Sequence, residues 1–331
     1  MKFFKVIRAA EWWDYKLPPI LAAAYLVLSA SHASPESTAP LLIFVVLSLI
    51  AGAIYVSIIN DMTDIREDMA AGKPNRMEGY GIFTRIVFLA TVLSAAFVFC
   101  WYMRHHTLSL LLYGGAYVMF TLYSVPPFRL KERKGWGVLA DAAGSQLLPT
   151  LYTAVISSAY LGYALSNDKF LALGLWSLAF GLRGILWHQF HDLHNDARSG
   201  VNTWARQASA RTVRLTGYIL IVTELCSLAW MLFSFGQYMC FAALGIYLLY
   251  VMYIRKNGTE IMLFRYTRPD YCIFMSEYYQ LFLPLTVLVS LTIGNSTFVY
   301  LLMLHAAVFH MGIIRVLKRI AGSRIKSIIT K

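Results

Sequence analysis

Long apolar runs separated by short polar stretches recur along the whole chain. Ten of them approach bilayer length, at 17–33, 40–60, 81–103, 107–125, 138–160, 169–190, 211–233, 236–254, 278–294 and 297–315. A run of roughly 17–25 apolar residues spans a hydrocarbon core as a helix. The pattern therefore predicts an all-α fold: a polytopic transmembrane helical bundle of nine or ten spans around a central cavity. The ninth and tenth runs are parted only by Gly294-Asn295-Ser296, so one broken or re-entrant unit is the alternative. No long low-complexity linker interrupts the series, and residues 1–331 read as a single domain. The opening segment, Met1 to Lys16, is basic and has no apolar core ahead of a cleavage site, unlike a secretory leader. Trp12 and Trp13 beside Lys5, Arg8 and Lys16 predict a short interfacial helix before the first span.

Composition agrees: 58% of the residues are hydrophobic and 14% charged. The net charge of +12 is unevenly spread. With the N-terminus cytoplasmic, 26 Lys and Arg fall on that side, Arg104 and Lys169 on the other, and Arg183 inside a span. This bias is the positive-inside pattern of a multi-pass membrane protein. Topology and anionic lipid headgroups account for the basic charge, and no nucleic-acid partner is needed. Cys100, Cys226, Cys240 and Cys272 form no C-x-x-C pair and read as small apolar fillers.

Against this background two acidic clusters stand out, Asn60-Asp61-x-x-Asp64-x-x-x-Asp68 after the second run and Asp192-x-x-x-Asp196 after the sixth. They hold five of the 17 acidic residues. Residues three and four apart share one helix face, so each cluster presents a patch of carboxylate oxygens. Acid at a helix C-terminus opposes the dipole and calls for a counter-ion. Facing patches repel unless cations lie between them, and hard cations such as Mg²⁺ bridge carboxylates to phosphate. Asp64 to Asp192 and Asp68 to Asp196 are both offsets of 128 residues, which suggests two pseudo-repeated four-helix halves.

Further polar groups sit on the same predicted face. Lys73 and Arg76 follow the first cluster, and Arg198 and Thr203 the second. Each suits phosphate oxygens, or equally simple anchoring to the cytoplasmic side. Pro126-Pro127 ends the fourth run and fixes Tyr123, Arg129 and Lys131 at the cavity mouth. His188, His191 and His194 surround Asp192. A di-iron site would need further histidine clusters on that side. The expected role is to orient a carboxylate or contact phosphate. Arg183 lies near the same helix face as His191, and a cavity-lining role is expected for it, with Gln146 a weaker case of the same kind.

At these residues the chain resembles the UbiA superfamily of intramembrane prenyltransferases. The N-D-x-x-D-x-x-x-D motif, the Y-S-x-P-P-x-R-L-K segment from Tyr123 to Lys131, and the D-x-x-x-D motif occur in the family's order. The motif evidence covers residues 12–235, with hydropathy alone beyond. The resemblance implies that Asn60, Asp61, Asp64, Asp68, Asp192 and Asp196 hold Mg²⁺ on the diphosphate of a prenyl donor. Tyr123, Arg129 and Lys131 would help bind that diphosphate, with Lys73, Arg76 and Arg198 as further candidates. The implied reaction is prenyl transfer to a small or lipophilic acceptor such as an aromatic quinone precursor, releasing pyrophosphate. A terpene cyclase of the same superfamily is the second reading. A transporter is the third, and acids at span ends rather than at the midplane argue against it. Acceptor, donor length and oligomeric state are not specified by these motifs.

Overall fold

The computed structural model describes residues 7–31, 33–70, 72–199, 201–265 and 267–329, with the side chains of 194, 198, 199 and 323 onward outside that description. All ten apolar runs are mainly helical. The first is α1, Ala9–Ser31. It continues unbroken through Pro18 and Pro19, and every residue from Leu17 to Leu28 is buried. A helix apolar on all sides belongs in the interior, and α1 packs against the later helices Leu148–Tyr160 and Leu283–Gly294. This corrects the expectation of a separate interfacial helix. Trp12 is buried with its indole N–H on the Ile7 carbonyl at 2.8 Å, and Trp13 packs against Phe309.

The chain continues through α2 (Pro35–Thr63), the short α3 (Ile65–Ala70), α4 (Ile82–Tyr102) and α5 (Thr107–Ser124). A 3₁₀ turn at Leu130–Glu132 leads into α6 (Gly135–Ala142), a π-turn at Ala143–Leu147 and α7 (Leu148–Tyr160). Then come α8 (Asn167–His191), α9 (Leu193–Ser199), α10 (Trp204–Gln207), α11 (Ala210–Ser234) and α12 (Met239–Lys256). The last part holds β1 (Glu260–Met262), β2 (Tyr271–Ile273), a π-turn at Tyr278–Phe282, α13 (Leu283–Gly294), a 3₁₀ turn at Ser296–Phe298, α14 (Val299–Val308) and α15 (His310–Ile329).

Among the described residues six helices, α2, α4, α5, α8, α11 and α12, are long and apolar enough to cross a membrane. The tenth run is bent by 65° at Phe309, and the turn-plus-α14 segment together with α15 reads as a broken span or a re-entrant loop. The two π-turns share a cause. Each precedes a Leu-Pro pair, Leu148-Pro149 and Leu283-Pro284. Proline lacks an N–H and crowds the carbonyl four residues back, so the preceding turn widens. The three-residue parallel pairing of β1 with β2 is the one sheet among the described residues, and nothing in the helical periodicity anticipated it. α4 lies at the periphery, with Phe83, Phe97 and Trp101 exposed, as expected of a surface that meets lipid.

Candidate active site

Each acidic cluster is built into the same local shape. α2 runs to Thr63, Asp64 caps it with its N–H on the Asn60 carbonyl, and α3 follows at once. α8 runs to His191, Asp192 caps it with its N–H on the His188 carbonyl, and α9 follows at once. The capping backbones are nearly identical, φ −102° and ψ 4° at Asp64, φ −89° and ψ 4° at Asp192. In both, a hydrogen bond spans the corner, Asp68 N–H to Asp64 O at 2.8 Å and Asp196 N–H to Asp192 O at 2.9 Å. The 128-residue offset is thus a repeated elbow: long helix, aspartate, short helix. The continuous stripe expected along α2 is broken at Asp64, which places Asp68 on α3.

The two elbows face each other across a pocket of about 170 Å³. It brings together Asp64, Asp68, Asp192, Asp196, Lys73, Lys131 and Tyr123, with Glu67, His188, Asn195 and Thr203. The positive charge between the elbows comes from the chain itself. Lys73 reaches Asp192 at 3.1 Å, and Lys131 donates to Asp64. Arg129 sits behind this wall. Its φ of 38° turns it toward Glu67, 2.7 Å away, with Asp64 at 3.5 Å and Glu132 as a third partner. Burial opposes its charge, but Glu67, Glu132 and Asp64 outweigh that and raise its pKa. Gly137 permits the turn, because a Cβ there would lie 2.6 Å from the Leu130 carbonyl oxygen.

Other expected residues lie just outside this lining. Asp61 is buried (1% exposed), with one oxygen 3.0 Å from Arg8 and the other, Oδ2, without a hydrogen-bond partner. Arg76 pairs with Glu11 at 2.7 Å and stands 3.9 Å from Asp61 Oδ2. Asn60 accepts from Ser124 and faces the neighbouring chamber. The Arg198 and His194 side chains lie outside the described residues. Among the described residues no three His, Cys, Asp or Glu side chains converge into a preformed metal cluster. The donor set is nonetheless all oxygen, the chemistry of hard cations, and the orphaned Asp61 Oδ2 is a buried acceptor lacking a donor.

Behind the pocket opens a larger chamber of about 370 Å³. Tyr123, Ile185, His188 and Asp192 line both spaces. The chamber wall is aromatic, with Tyr55, Tyr113, Tyr117, Phe120 and Tyr152. Four of these hydroxyls are committed internally: Tyr55 with Thr121 at 2.6 Å, Tyr113 with Tyr117 at 2.9 Å, and Tyr152 with Ser48 at 2.8 Å.

Several contributors escaped sequence reasoning. Asn75 donates to the Asp61 carbonyl at 2.9 Å and to Asp68 Oδ2 at 2.8 Å, tying the two together. Arg8 and Glu67 joined the network only through tertiary approach. Asp141, a lone acid in the fifth apolar run, lines the chamber. Arg183 is a correction. It does not line the cavity but faces α11, where both carboxylate oxygens of Glu224 lie 2.7 Å away and the Leu263 carbonyl 3.0 Å away. A fully buried guanidinium needs such a partner, and Glu224, alone in its own apolar run, was the available signal. Gln146 likewise packs against Gly181 of α8 instead of the chamber.

The sequence profile of the UbiA prenyltransferase family matches residues 16–266, about three quarters of the chain. The chain belongs to the UbiA prenyltransferase family. No curated protein sequence matches it. The fold is shared with a UbiA homolog from Archaeoglobus fulgidus. The structure of that protein bound to GPP and Mg²⁺ aligns with a TM-score of 0.55 at 13% identity, over 97% of this chain and 100% of the other. Its structure bound to DMAPP and Mg²⁺ gives 0.55 at 13% identity, over 97% and 99%. A further structure of the homolog gives 0.57 at 14% identity, over 94% and 100%. The family match and the apolar helices make this an integral membrane protein, a UbiA-type helical bundle.

Proposed function

We propose that this UbiA-family protein transfers an isoprenyl group from a prenyl diphosphate to a small or lipophilic acceptor, with Mg²⁺, releasing pyrophosphate. One observation carries the reading: two mirrored acidic elbows face across a small polar pocket that opens into an aromatic chamber. The polar pocket suits a diphosphate and the chamber its hydrocarbon tail. The Archaeoglobus homolog binds GPP or DMAPP with Mg²⁺, which supports the same pairing here.

Asp64, Asp68, Asp192 and Asp196 would hold Mg²⁺, with Asn60 and Asp61 at the base of the first elbow. When bound, Mg²⁺ neutralises charge on the departing diphosphate. Lys131, Lys73 and Tyr123 contact the diphosphate oxygens and stabilise the same developing charge. Arg129 and Arg76 hold the first elbow in place. As the allylic C–O bond breaks, the tyrosine faces of the chamber stabilise the cationic carbon. Their hydroxyls, tied up with one another, with Thr121 and with Ser48, are poor nucleophiles toward it. The apolar walls keep bulk water out. By the positive-inside bias, the elbows and the N-terminus face the cytoplasm, and residues 1–331 act as one unit.

The test is direct. Purified protein with Mg²⁺ and geranyl, farnesyl or geranylgeranyl diphosphate should release pyrophosphate, and chelation should stop it. No release from any of the three would refute the reading. Mass spectrometry of the organic product separates transfer from cyclisation, since a cyclised product contains no acceptor atoms.

A further inference from the structure

The chamber wall holds one carboxylate that neither elbow uses. Asp141 lies at the end of α6, two residues before the π-turn. Close packing fixes its backbone on two sides. A Cβ at Gly144 would lie 2.8 Å from the Phe120 ring of α5, and one at Gly181 of α8 would lie 3.0 Å from the Ala142 carbonyl oxygen. Ser145 Oγ donates to Asp141 Oδ1 at 3.3 Å, and the second oxygen has no hydrogen-bond partner among the described residues. Lys16 of α1 lines the same chamber and makes no ion pair among the described residues. Tyr123 lines both this chamber and the diphosphate pocket, and so joins the two spaces.

An ionisable residue in an apolar run is a functional site by default, and π-turns inside helices concentrate at such sites. Here an acid and a separated ammonium flank open space on the chamber side of Tyr123, where an acceptor would meet the allylic carbon. We propose that Asp141 is the general base for a hydroxyl-bearing acceptor, and that Lys16 holds the resulting oxyanion. This rests on the transferase reading. In the step, the allylic C–O bond breaks and its electron pair leaves with the diphosphate. The activated acceptor forms the new bond to the allylic carbon, and the hydroxyl proton passes to the Asp141 carboxylate. Neither oxidant nor reductant is required.

The experiment compares wild type with Asp141→Asn and Lys16→Met, using the three prenyl diphosphates with Mg²⁺ and two acceptor probes. Phenol keeps its proton at mildly alkaline pH, whereas 4-nitrophenol is largely ionised. A positioned base contributes about 10²–10⁴-fold, so Asp141→Asn should lose at least about 100-fold in phenol-dependent pyrophosphate release. It should lose less than about tenfold with 4-nitrophenol, which needs no base. Lys16→Met should raise the KM for both phenols. Donor binding in the presence of Mg²⁺ should match wild type in both variants, which also shows that they fold. Equal losses with both phenols, or failure of phenol to accelerate release by wild type, would overturn the base assignment. No release by wild type from any donor would instead overturn the transferase reading, and this inference with it. If Asp141→Asn fails to bind donor, Asp141→Glu decides. Retention of the phenol-to-nitrophenol rate ratio supports the base, and its collapse overturns it.

Discussion

The two acidic elbows share a backbone but not an electrostatic environment. The first is crowded with positive charge and hydrogen-bond donors. Asp64 has Lys131 and Arg129, Asp61 has Arg8, and Asp68 has Asn75. At the second, Asp192 has Lys73 and Asn195, and its side chain is 40% exposed against 24% for Asp64. Burial, and then the adjacent Asp192 carboxylate, push the Asp196 carboxyl above its ordinary pKa. The lesson is a division of labour. The first elbow is a neutralised wall, and the second carries fewer ion pairs among the described residues and so is the more demanding partner for an incoming cation.

The strongest way to break this comparison is to delete the capping aspartates. Asp64→Ala and Asp192→Ala should each lower pyrophosphate release by about 10³-fold, the upper range for removing one electrostatic stabiliser. They should part company in stability. Asp64→Ala takes away the acid that Lys131 pairs with, while Arg129 keeps Glu67 and Glu132, and should lower the unfolding temperature in detergent. Asp192→Ala frees the partly exposed Lys73 and a long hydrogen bond from Asn195, and should leave that temperature nearly unchanged. Near-normal turnover in both variants would remove the site assignment altogether.

The lysines give the next effect. Lys131→Met should cost about 10²-fold in turnover, because it removes a donor from a confined site. Lys73→Met should cost about tenfold at most, since a partly exposed pair contributes little. Equal losses, measured as kcat for pyrophosphate release, would show the elbows to be electrostatically alike. Asn75→Ala comes third. It touches Asp68 and the Asp61 backbone without entering the pocket, and groups that orient ligands typically contribute about 10–100-fold in metal affinity or activity. Excess Mg²⁺ should recover much of that loss, and a loss insensitive to Mg²⁺ would argue against an orienting role.

How much of this could be read from the residues depends on whether the signal was local. Helices announced themselves through long apolar runs, and the elbows through i, i+3 and i+4 acids at matched offsets. The bend at Phe309 carried no comparable mark, because phenylalanine in an apolar run reads as continuing helix. Nor did the short sheet at Glu260–Met262 and Tyr271–Ile273. Asp64, Asp68, Asp192 and Asp196 stood out by spacing, Lys73 by following the first cluster and Lys131 by following the Pro-Pro pair, and all six line one pocket. Arg8, Asn75 and Glu67 were missed because their partners are chosen by tertiary approach. Arg183 was misplaced for the same reason: helical periodicity put it near the His191 face, while its partner Glu224 lies 41 residues onward.

That pair supplies the smallest expected effect on turnover and the sharpest test of how the second elbow is held. The first elbow is braced at its own carboxylates. The second sits at the end of α8, and the nearest buried ionic brace among the described residues is Arg183–Glu224, about two and a half helical turns earlier. Removing one partner of such a buried pair costs roughly 3–5 kcal/mol, because the remaining charge is left uncompensated. Glu224→Ala should therefore unfold at markedly lower temperature. Turnover per folded molecule should fall only a few-fold, since the Asp192 cap, the contact of Lys73 and the Gln189–Ala205 hydrogen bond at 3.2 Å all remain. A large loss of kcat in the folded fraction would mean that the brace positions Asp192 for the reaction. The second elbow would then depend on a distant ion pair as closely as the first depends on its adjacent ones.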